Sequence, residues 1–445
     1  MYTTEVYQIN KNHKLYSYCK NYCEKAKLFR NAVVYRYRQL MFASWKNFKD
    51  LDPQQIEVIA EFSRGNSKFK PVGEKNYMPS YNQMDYVMRV NQNPNYFSGL
   101  PKQSVQQIER KVLQDFKNWM AAVKKYNKCP SGFTGKPKLP GYTKGEQASF
   151  TITNQDAVIY QSESKFVLKL PLTKKRLALL DNRISCKLKQ VEIKPYYDIY
   201  KICVVYETEG FTDKILNRNR ILALDLGINN FLTSSNNCGL SPFIINGKVM
   251  KSKNAYVMKE SARLQSELMK SQGLYTSRKL QRLWRKRHNY FKDFTAKITS
   301  YLVRYCFKNN IGTVVVGKNR EWKQESDIDE TNNKMTSLIS YTEILHKVKE
   351  KLERHGIQYI EIDESYTSKA SFLDNDKIPS NGDKDIPEFS GYRKYRGLYI
   401  SRDGIGINAD VNAASNILKK EFPEAFCSMK DFSYLYKSVE VVNIV

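Results

Sequence analysis

One carboxylate ends an apolar run near the middle of the chain. Asp225 follows the segment Ile-Leu-Ala-Leu at 221–224 and precedes a turn at 227–230 and a second apolar run. This pattern predicts a buried strand, a tight hairpin turn and a second strand. A carboxylate on such a strand is costly to bury unless a cation shares its site, and a metal ion is the simplest such partner. Asp225 is therefore a candidate metal ligand, and an acid that only begins a turn is the alternative.

A second candidate, Asp410, lies in the first turn of the last predicted helix. The small residues Ala409, Ala413 and Ala414 would let this helix pack closely against a sheet. An acid in this position is usually explained by its favourable interaction with the helix dipole. Here, however, a strand acid and a helix acid occur in this order in one strongly basic chain, so the two are considered together below.

The overall charge indicates a polyanionic partner. Lys and Arg total 73 against 45 Asp and Glu, a formal net charge of +28 in 445 residues, which is too large for an ordinary solubility feature. No window of about twenty apolar residues exists, so we expect a cytoplasmic protein without a membrane partner. The eight Cys are scattered without a C-x-x-C pair and the four His are dispersed. The sequence therefore supports neither a disulfide framework nor a zinc site.

The first 212 residues combine helical and strand-like patterns. Residues 13–48 predict a basic, Tyr-rich helix, residues 62–80 a loop, and residues 103–126 a helix with an apolar face. Short strand-like runs follow at 149–152, 166–170 and 200–206. We interpret this half as a β-rich module, residues 1–12 and 141–212, with a helical insertion at 13–140.

The second half reads as an α/β domain. The predicted elements are strands at 221–226, 231–235 and 242–249, a basic helical region at 254–309, a strand at 312–317, a helix at 335–355 and a strand at 357–362. This order is typical of a ribonuclease-H-like sheet. Residues 370–404 show little regular pattern and read as an insertion, so we assign 213–369 and 405–445 to the α/β domain. The expected fold class is α+β and multidomain.

Several motifs resemble those of the TnpB family, RNA-guided nucleases encoded by insertion sequences and related to type V CRISPR effectors. The segment Leu-Asp-Leu-Gly-Ile-Asn-Asn at 224–230 and the segment Ala-Asp-Val-Asn-Ala-Ala-Ser-Asn-Ile at 409–417 resemble the first and third motifs of its RuvC nuclease domain. Residues 100–107, 135–138, 317–324 and 364–369 add further matches. The resemblance implies a β-barrel-like wedge domain, a helical recognition domain at 13–140, a RuvC domain and a target-nucleic-acid-binding insertion at 370–404.

The second RuvC motif departs from the usual family pattern. A Glu normally ends the fourth strand, but this chain has Gly317 there. The chain resembles a lineage with Gly-Lys-Asn at this point and Glu-Ser-Tyr-Thr-Ser-Lys after the next strand, which implies that Glu364 supplies the missing carboxylate. Glu321 and Asp363 are weaker candidates. The alternative for Glu364 is a solvated acid at a strand end.

A second departure concerns zinc. Relatives usually carry two Cys pairs before the third motif, whereas residues 365–407 contain no Cys or His. The insertion is therefore expected to fold without zinc. The apolar side chains available for its core are Phe372, Leu373, Phe389, Tyr392, Tyr395, Leu398 and Tyr399.

The resemblance implies a two-metal nuclease. Asp225, Glu364 and Asp410 would hold two Mg²⁺ ions for phosphodiester hydrolysis. A guide RNA would read a double-stranded DNA target, and Gln103, Gln106 and Gln107 are candidates for checking a short flanking motif. The remaining nucleic-acid contacts are assigned to Lys136, Lys138, Arg278, Arg282, Arg285, Lys286, Lys318, Lys323, Lys369, Arg393 and Arg396.

Three functions follow from these observations. The first is an RNA-guided DNA endonuclease that associates with the prokaryotic nucleoid when it is bound to its target. The second is a nuclease-dead, RNA-guided DNA-binding protein such as a repressor, which Gly317 favours. The third is a transposase, which the wording of the RuvC motifs disfavours. The sequence predicts no particular oligomeric state.

Overall fold

The computed structural model describes residues 2–64, 77–163, 165–180, 187–207, 215–318, 339–380, 382–383, 386–427 and 429–444. The chain divides into two compact units, Met1–Glu209 and Gly210–Val445. Among the helices of the described residues, none is both long and apolar enough to cross a membrane.

The described residues of the first unit include four α-helices. They are α1 (Tyr16–Ser44), α2 (Pro53–Ser63), α3 (Tyr81–Val90) and α4 (Lys102–Lys128). The predicted apolar face of α4 is confirmed, since Val105, Ile108 and Phe116 are buried. Helices α2 and α3 are not predicted above. Capping boxes at Asp52 and Ser80 nevertheless mark where both begin.

Helix α4 also buries an acid. Glu109 is fully buried, and its carboxyl group lies near Asp85 of α3, which accepts a hydrogen bond of 3.0 Å from the Tyr96 hydroxyl. Burial, and then the nearby Asp85 carboxylate, raise the pKa of Glu109 to about 9. Glu109 is therefore protonated at neutral pH in the folded protein.

This pKa predicts a pH-dependent stability. In the unfolded chain Glu109 ionises near pH 4.5. The stability that the folded protein gains by keeping Glu109 protonated is therefore fully present below that pH and is lost as the pH rises towards 9. Between about pH 5.5 and 8 it should lower the free energy of unfolding by about 1.4 kcal/mol per pH unit. Denaturant titrations of the full chain at several pH values should show that Glu109→Gln removes this slope. The exposed Glu57→Gln should retain it, and equal slopes in wild type and Glu109→Gln would contradict the assignment.

The strands of the first unit form two open sheets. An antiparallel sheet has the order β1-β7-β6-β2, and a smaller antiparallel sheet has the order β3-β4-β5. The strands are β1 (Tyr2–Ile9), β2 (Phe150–Thr153), β3 (Val158–Ser162), β4 (Lys165–Lys169), β5 (Arg176–Ala178), β6 (Leu188–Tyr196) and β7 (Ile199–Glu207). The predicted strands in this region are confirmed. The expectation of a barrel-like module is corrected, because the described strands do not close into a barrel.

A six-stranded mixed sheet organises the second unit. Its order is β12-β11-β8-β9-β10-β16, with β8, β9 and β10 antiparallel and β11 parallel to both β8 and β12. The strands are β8 (Asn217–Leu226), β9 (Asn230–Asn236), β10 (Phe243–Asn246), β11 (Ile311–Lys318), β12 (Gln358–Asp363) and β16 (Glu440–Val442). The predicted α/β order is confirmed. Strand β10 ends earlier than predicted because Gly247 packs against the 227–230 turn, where an added Cβ would lie 2.3 Å from the Ile228 carbonyl oxygen.

Helices cover both faces of this sheet. They are α5 (Lys248–Gln272), α6 (Arg278–Lys308), α7 (Tyr341–Arg354) and α8 (Ala409–Glu421). Side chains of β8 alternate, so Leu222 and Leu224 join the core under α6 and α7, whereas Ile221 and Ala223 join the core under α8. The predicted helical region at 254–309 is broken at Gly273, which adopts a left-handed conformation. Residues 335–338 of the predicted helix at 335–355 lie outside the described residues.

The insertion contains a small antiparallel sheet. Its strands are β13 (Tyr392–Tyr395), β14 (Leu398–Ile400) and β15 (Gly406–Asn408), so the sheet extends beyond the predicted boundary at 404. Phe372 and Tyr399 are buried as predicted. Tyr392 and Tyr395 do not belong to the core, since they are 61% and 62% exposed.

Two aspartates hold the irregular part of the insertion together. Asp376 Oδ2 accepts hydrogen bonds from the backbone N–H groups of Ser371 (2.8 Å) and Ser390 (3.0 Å). Asp374 Oδ2 accepts from the Ser371 hydroxyl (2.6 Å) and from the backbone N–H of Arg402 (2.9 Å). These contacts join three separate parts of the insertion through carboxylate oxygens.

Candidate carboxylate active site

Asp225 lies near the end of β8, beside the hairpin turn. It continues the face of Ala223, so its side chain is on the side of the sheet that α8 covers. Its cross-strand neighbour is Thr233 of β9, a fully buried residue. No hydrogen-bond partner of Thr233 Oγ1 is found in the part of the chain that the structure describes. Asp225 thus pairs with a polar residue of β9, in contrast to the apolar run at 221–224 that precedes it on β8.

Asp410 is held by contacts from three directions. Its backbone N–H donates to the side chain of Asn408, the N-cap of α8, over 3.0 Å. Its Oδ2 atom accepts a hydrogen bond of 2.7 Å from Asn230 Nδ2. Its Oδ1 atom lies 3.5 Å from the Arg393 guanidinium of the insertion. Asp410 is therefore oriented by a neutral donor and faces a cation.

Glu364 directly follows β12 and lies beside Gly317 of the neighbouring strand. A Cβ added to Gly317 would be 3.2 Å from both Cβ and Oε2 of Glu364, and 2.5 Å from Cδ1 of Ile417 in α8. The Glu364 side chain therefore fills space that a side chain at 317 would need. This packing explains why glycine suits position 317 when Glu364 is present.

The three acids lie close enough to interact electrostatically. Burial raises the pKa of Asp225 well above its usual range, and the carboxylates of Glu364 and Asp410 raise it further. The Leu226 backbone N–H and Arg393 offset this shift in part. Because like charges are gathered at the end of a buried strand, a bound cation would relieve their repulsion.

The donor set suits a hard divalent cation. Three carboxylates offer only oxygen ligands, which Mg²⁺ prefers. In the present arrangement, no three His, Cys, Asp or Glu side chains among the described residues converge closely enough to hold a metal ion. The chemistry of the ligands fits Mg²⁺, whereas their geometry would have to tighten on binding.

Other acids near the strand ends have different partners. Asp363 Oδ1 accepts from the Ser365 hydroxyl over 2.9 Å, and its Oδ2 lies 3.5 Å from Lys420 Nζ. Glu361 pairs with Lys318 over 2.6 Å. Glu321 and Lys323 lie outside the described residues. Asp363 is thus engaged with Ser365 and Lys420, and Glu364 is the strand-end acid that interacts with Asp225.

The predicted nucleic-acid contacts lie on several elements. Gln103, Gln106 and Gln107 are half-buried on α4, and Lys136 and Lys138 are exposed in the segment after it. On α6, Arg278, Arg282 and Lys286 are exposed and Arg285 is half-buried. Lys369 is exposed beside the Tyr366 ring, and Arg393 and Arg396 are exposed in the insertion. Lys318 forms an ion pair with Glu361. Their roles in binding nucleic acid stay predictions.

Two functional features are not predicted above. Asn230 contacts Asp410, and the signal for it is that Asn230 is the last residue of the 224–230 motif that contains Asp225. Arg393 is predicted as a phosphate contact, but its ion pair with Asp410 has no signal in the sequence because it joins the insertion to the start of α8. Both residues place side chains on the same carboxylate.

Comparisons with known proteins match both segments that carry the site. The OrfB_IS605 family model, described as a probable transposase, matches residues 201–323 and so includes Asp225. A Cas12f1-like TNB domain model matches residues 341–417 and so includes Glu364 and Asp410. A TnpB-like protein of Acidianus two-tailed virus is 25% identical over 209 residues, which cover 45% of this chain and 42% of that relative. The chain thus matches less than half the length of that relative.

A solved structure supports the fold. The Cas12f1–sgRNA–target DNA complex matches with a TM-score of 0.53 and 13% sequence identity, covering 90% of this chain and 83% of that chain. This likeness shows a mixed α/β, multidomain fold of the Cas12f type. The sequence motifs, the two family models and the curated relative together support assignment of the chain to the TnpB family.

Proposed function

We propose that this protein is an RNA-guided DNA endonuclease that hydrolyses phosphodiester bonds at the carboxylate site. The observation that carries the proposal is that Asp225, Glu364 and Asp410 lie near one end of the six-stranded sheet, close enough to interact electrostatically. They come from a strand end, from the residue after another strand and from a helix start. Burial is the main cause of the raised pKa of Asp225, and the carboxylates of Glu364 and Asp410 raise this pKa further.

The chain's own residues would do the following work. Asp225, Glu364 and Asp410 would hold two Mg²⁺ ions through hard oxygen ligands. When bound, such ions supply an activated water and stabilise the leaving 3′ oxygen. Arg393 would leave Asp410 and neutralise a substrate phosphate, because a bound cation would then compensate the Asp410 carboxylate.

The proposed guide RNA and DNA target are inferred from the net charge of the chain and from the proteins that it resembles. A net charge of +28 suits a protein that holds two polyanions, and the Cas12f1 structure with the same fold is a complex with sgRNA and target DNA. Base pairing with the RNA would read the sequence, and the N-terminal half would check a short flanking motif through Gln103, Gln106 and Gln107. Residues 1–12 and 141–212 would be the wedge domain, 13–140 the recognition domain, 213–369 and 405–445 the RuvC domain, and 370–404 the target-nucleic-acid-binding insertion.

Specific observations favour a second function, guided DNA binding without cleavage. Gly317 takes the place of the usual RuvC glutamate, and Arg393 pairs with Asp410. Moreover, no three acids among the described residues already converge on a metal position. A protein that recognises its target but does not cut would act as a repressor.

One experiment separates these functions. The protein is purified with its co-expressed RNA, the RNA is sequenced, and a plasmid library with matching targets and randomised flanks is added with Mg²⁺. The endonuclease proposal expects cleavage of matched plasmids, which EDTA abolishes. The double variant Asp225→Asn/Asp410→Asn should bind the same targets without cutting them.

The other outcomes are informative as well. Target binding by the wild type without cleavage would overturn the endonuclease proposal and support the repressor. Joined DNA ends instead of free ends would indicate a transposase. Cleavage that does not depend on the RNA sequence would overturn the guided part of the proposal.

A further inference from the structure

We infer that Asn230 is a positioning residue that orients Asp410 for cation binding. Its Nδ2 atom donates to Asp410 Oδ2 over 2.7 Å and joins residues that are 180 positions apart. The Asp410 side chain is only 29% exposed, so its orientation depends on protein contacts. The inference rests on the proposed function, since it concerns how the same site holds its metal.

Hydrogen bonds from other elements hold the 227–230 turn, which includes Asn230, in place. The Tyr341 hydroxyl at the start of α7 donates to the Gly227 carbonyl over 3.1 Å. The Gly247 N–H donates to the Asn229 carbonyl over 2.8 Å, and Lys251 Nζ donates to Asn229 Oδ1 over 3.2 Å. Two helix starts therefore hold the turn on which Asn230 sits, so its amide is aimed at Asp410 before any cation arrives.

The two partners of Asp410 differ in charge, and this difference predicts opposite effects. Asn230 is neutral, so it fixes Oδ2 without weakening the negative charge that attracts a metal. Arg393 lies 3.5 Å from Oδ1 and, as a cation, competes with a metal for the same carboxylate. Hydrogen bonds that orient metal ligands typically contribute 10- to 100-fold in affinity.

The test measures binding of Mn²⁺ to the full chain by titration calorimetry, without RNA or DNA. Asn230→Ala and the volume-preserving Asn230→Leu should both weaken Mn²⁺ binding by about 10- to 100-fold. Arg393→Gln should leave the affinity unchanged or increase it. Asn219→Ala, which alters an exposed Asn near the start of β8 and so at the other end of the strand from Asp225, should leave the affinity unchanged, while circular dichroism confirms that each variant is folded.

A second readout is the Mg²⁺ dependence of cleavage. A positioning role expects both Asn230 variants to need more Mg²⁺ for half-maximal cleavage and to approach the wild-type rate at saturating Mg²⁺. Equal Mn²⁺ affinity of wild type and both Asn230 variants would overturn the inference. If instead the Asp225→Asn variant binds Mn²⁺ as tightly as the wild type does, the proposed metal site itself is wrong. The two failures are therefore distinguishable.

Discussion

Glu364→Ala is expected to lower target cleavage by roughly 10³-fold or more while target binding persists. The reason is that Glu364 is the strand-end acid that interacts with Asp225, and without it the site keeps two of its three carboxylates. Cleavage rates at saturating Mg²⁺ and target affinities measured by gel shift on the same RNA-bound preparation would check both parts.

The neighbouring acid offers a matched control. Asp363→Asn removes one negative charge at the adjacent position, where the carboxylate contacts Ser365 and Lys420. It should change cleavage by less than about 10-fold, since these contacts stabilise the local structure only. If Asp363→Asn abolished cleavage and Glu364→Ala did not, the assignment of the third carboxylate would be wrong.

Gly317→Ala is expected to cost about 1–3 kcal/mol of stability and to slow cleavage by roughly 100-fold. The added Cβ would meet Ile417 Cδ1 at 2.5 Å and Glu364 at 3.2 Å, so either α8 or the Glu364 side chain must move. Thermal unfolding and single-turnover cleavage of the same preparations would measure the two effects.

A second substitution separates packing from catalysis. Ile417→Val removes the Cδ1 atom that makes the closest contact, so Gly317→Ala/Ile417→Val should recover most of the stability relative to Ile417→Val alone. The contact with Glu364 remains, so cleavage should stay low. Full recovery of cleavage in the double variant would show that displacement of Glu364 does not limit the reaction.

The sequence predicts the strand that carries Asp225 and the helix that carries Asp410, because both elements are determined by residues close to these acids in the chain. Apolar runs around Asp225 and small residues around Asp410 are enough to predict a buried strand and a closely packed helix, and both are found. The role of Glu364 came from a family resemblance and not from any local pattern. In the structure, Glu364 packs against Gly317, and this contact connects the unusual glycine to the acid that is proposed to replace the usual glutamate.

The remaining features depend on contacts between distant residues. Arg393 reaches Asp410 from the insertion, and no spacing in the sequence predicts that pair. Whether the strands of the first unit close into a barrel depends on pairings between strand edges, which strand-like patterns do not determine. By contrast, the capping boxes of α2 and α3 are local signals that could have predicted both helices.

The aspartate contacts in the insertion have a practical consequence. Asp374 and Asp376 join Ser371, Ser390 and Arg402 through hydrogen bonds, which chelators cannot remove and thiol oxidants cannot alter. Treatment with EDTA would therefore withdraw a cation from the carboxylate site without loosening these connections. Under the proposed function, metal depletion would therefore stop catalysis reversibly and leave the fold of the insertion intact.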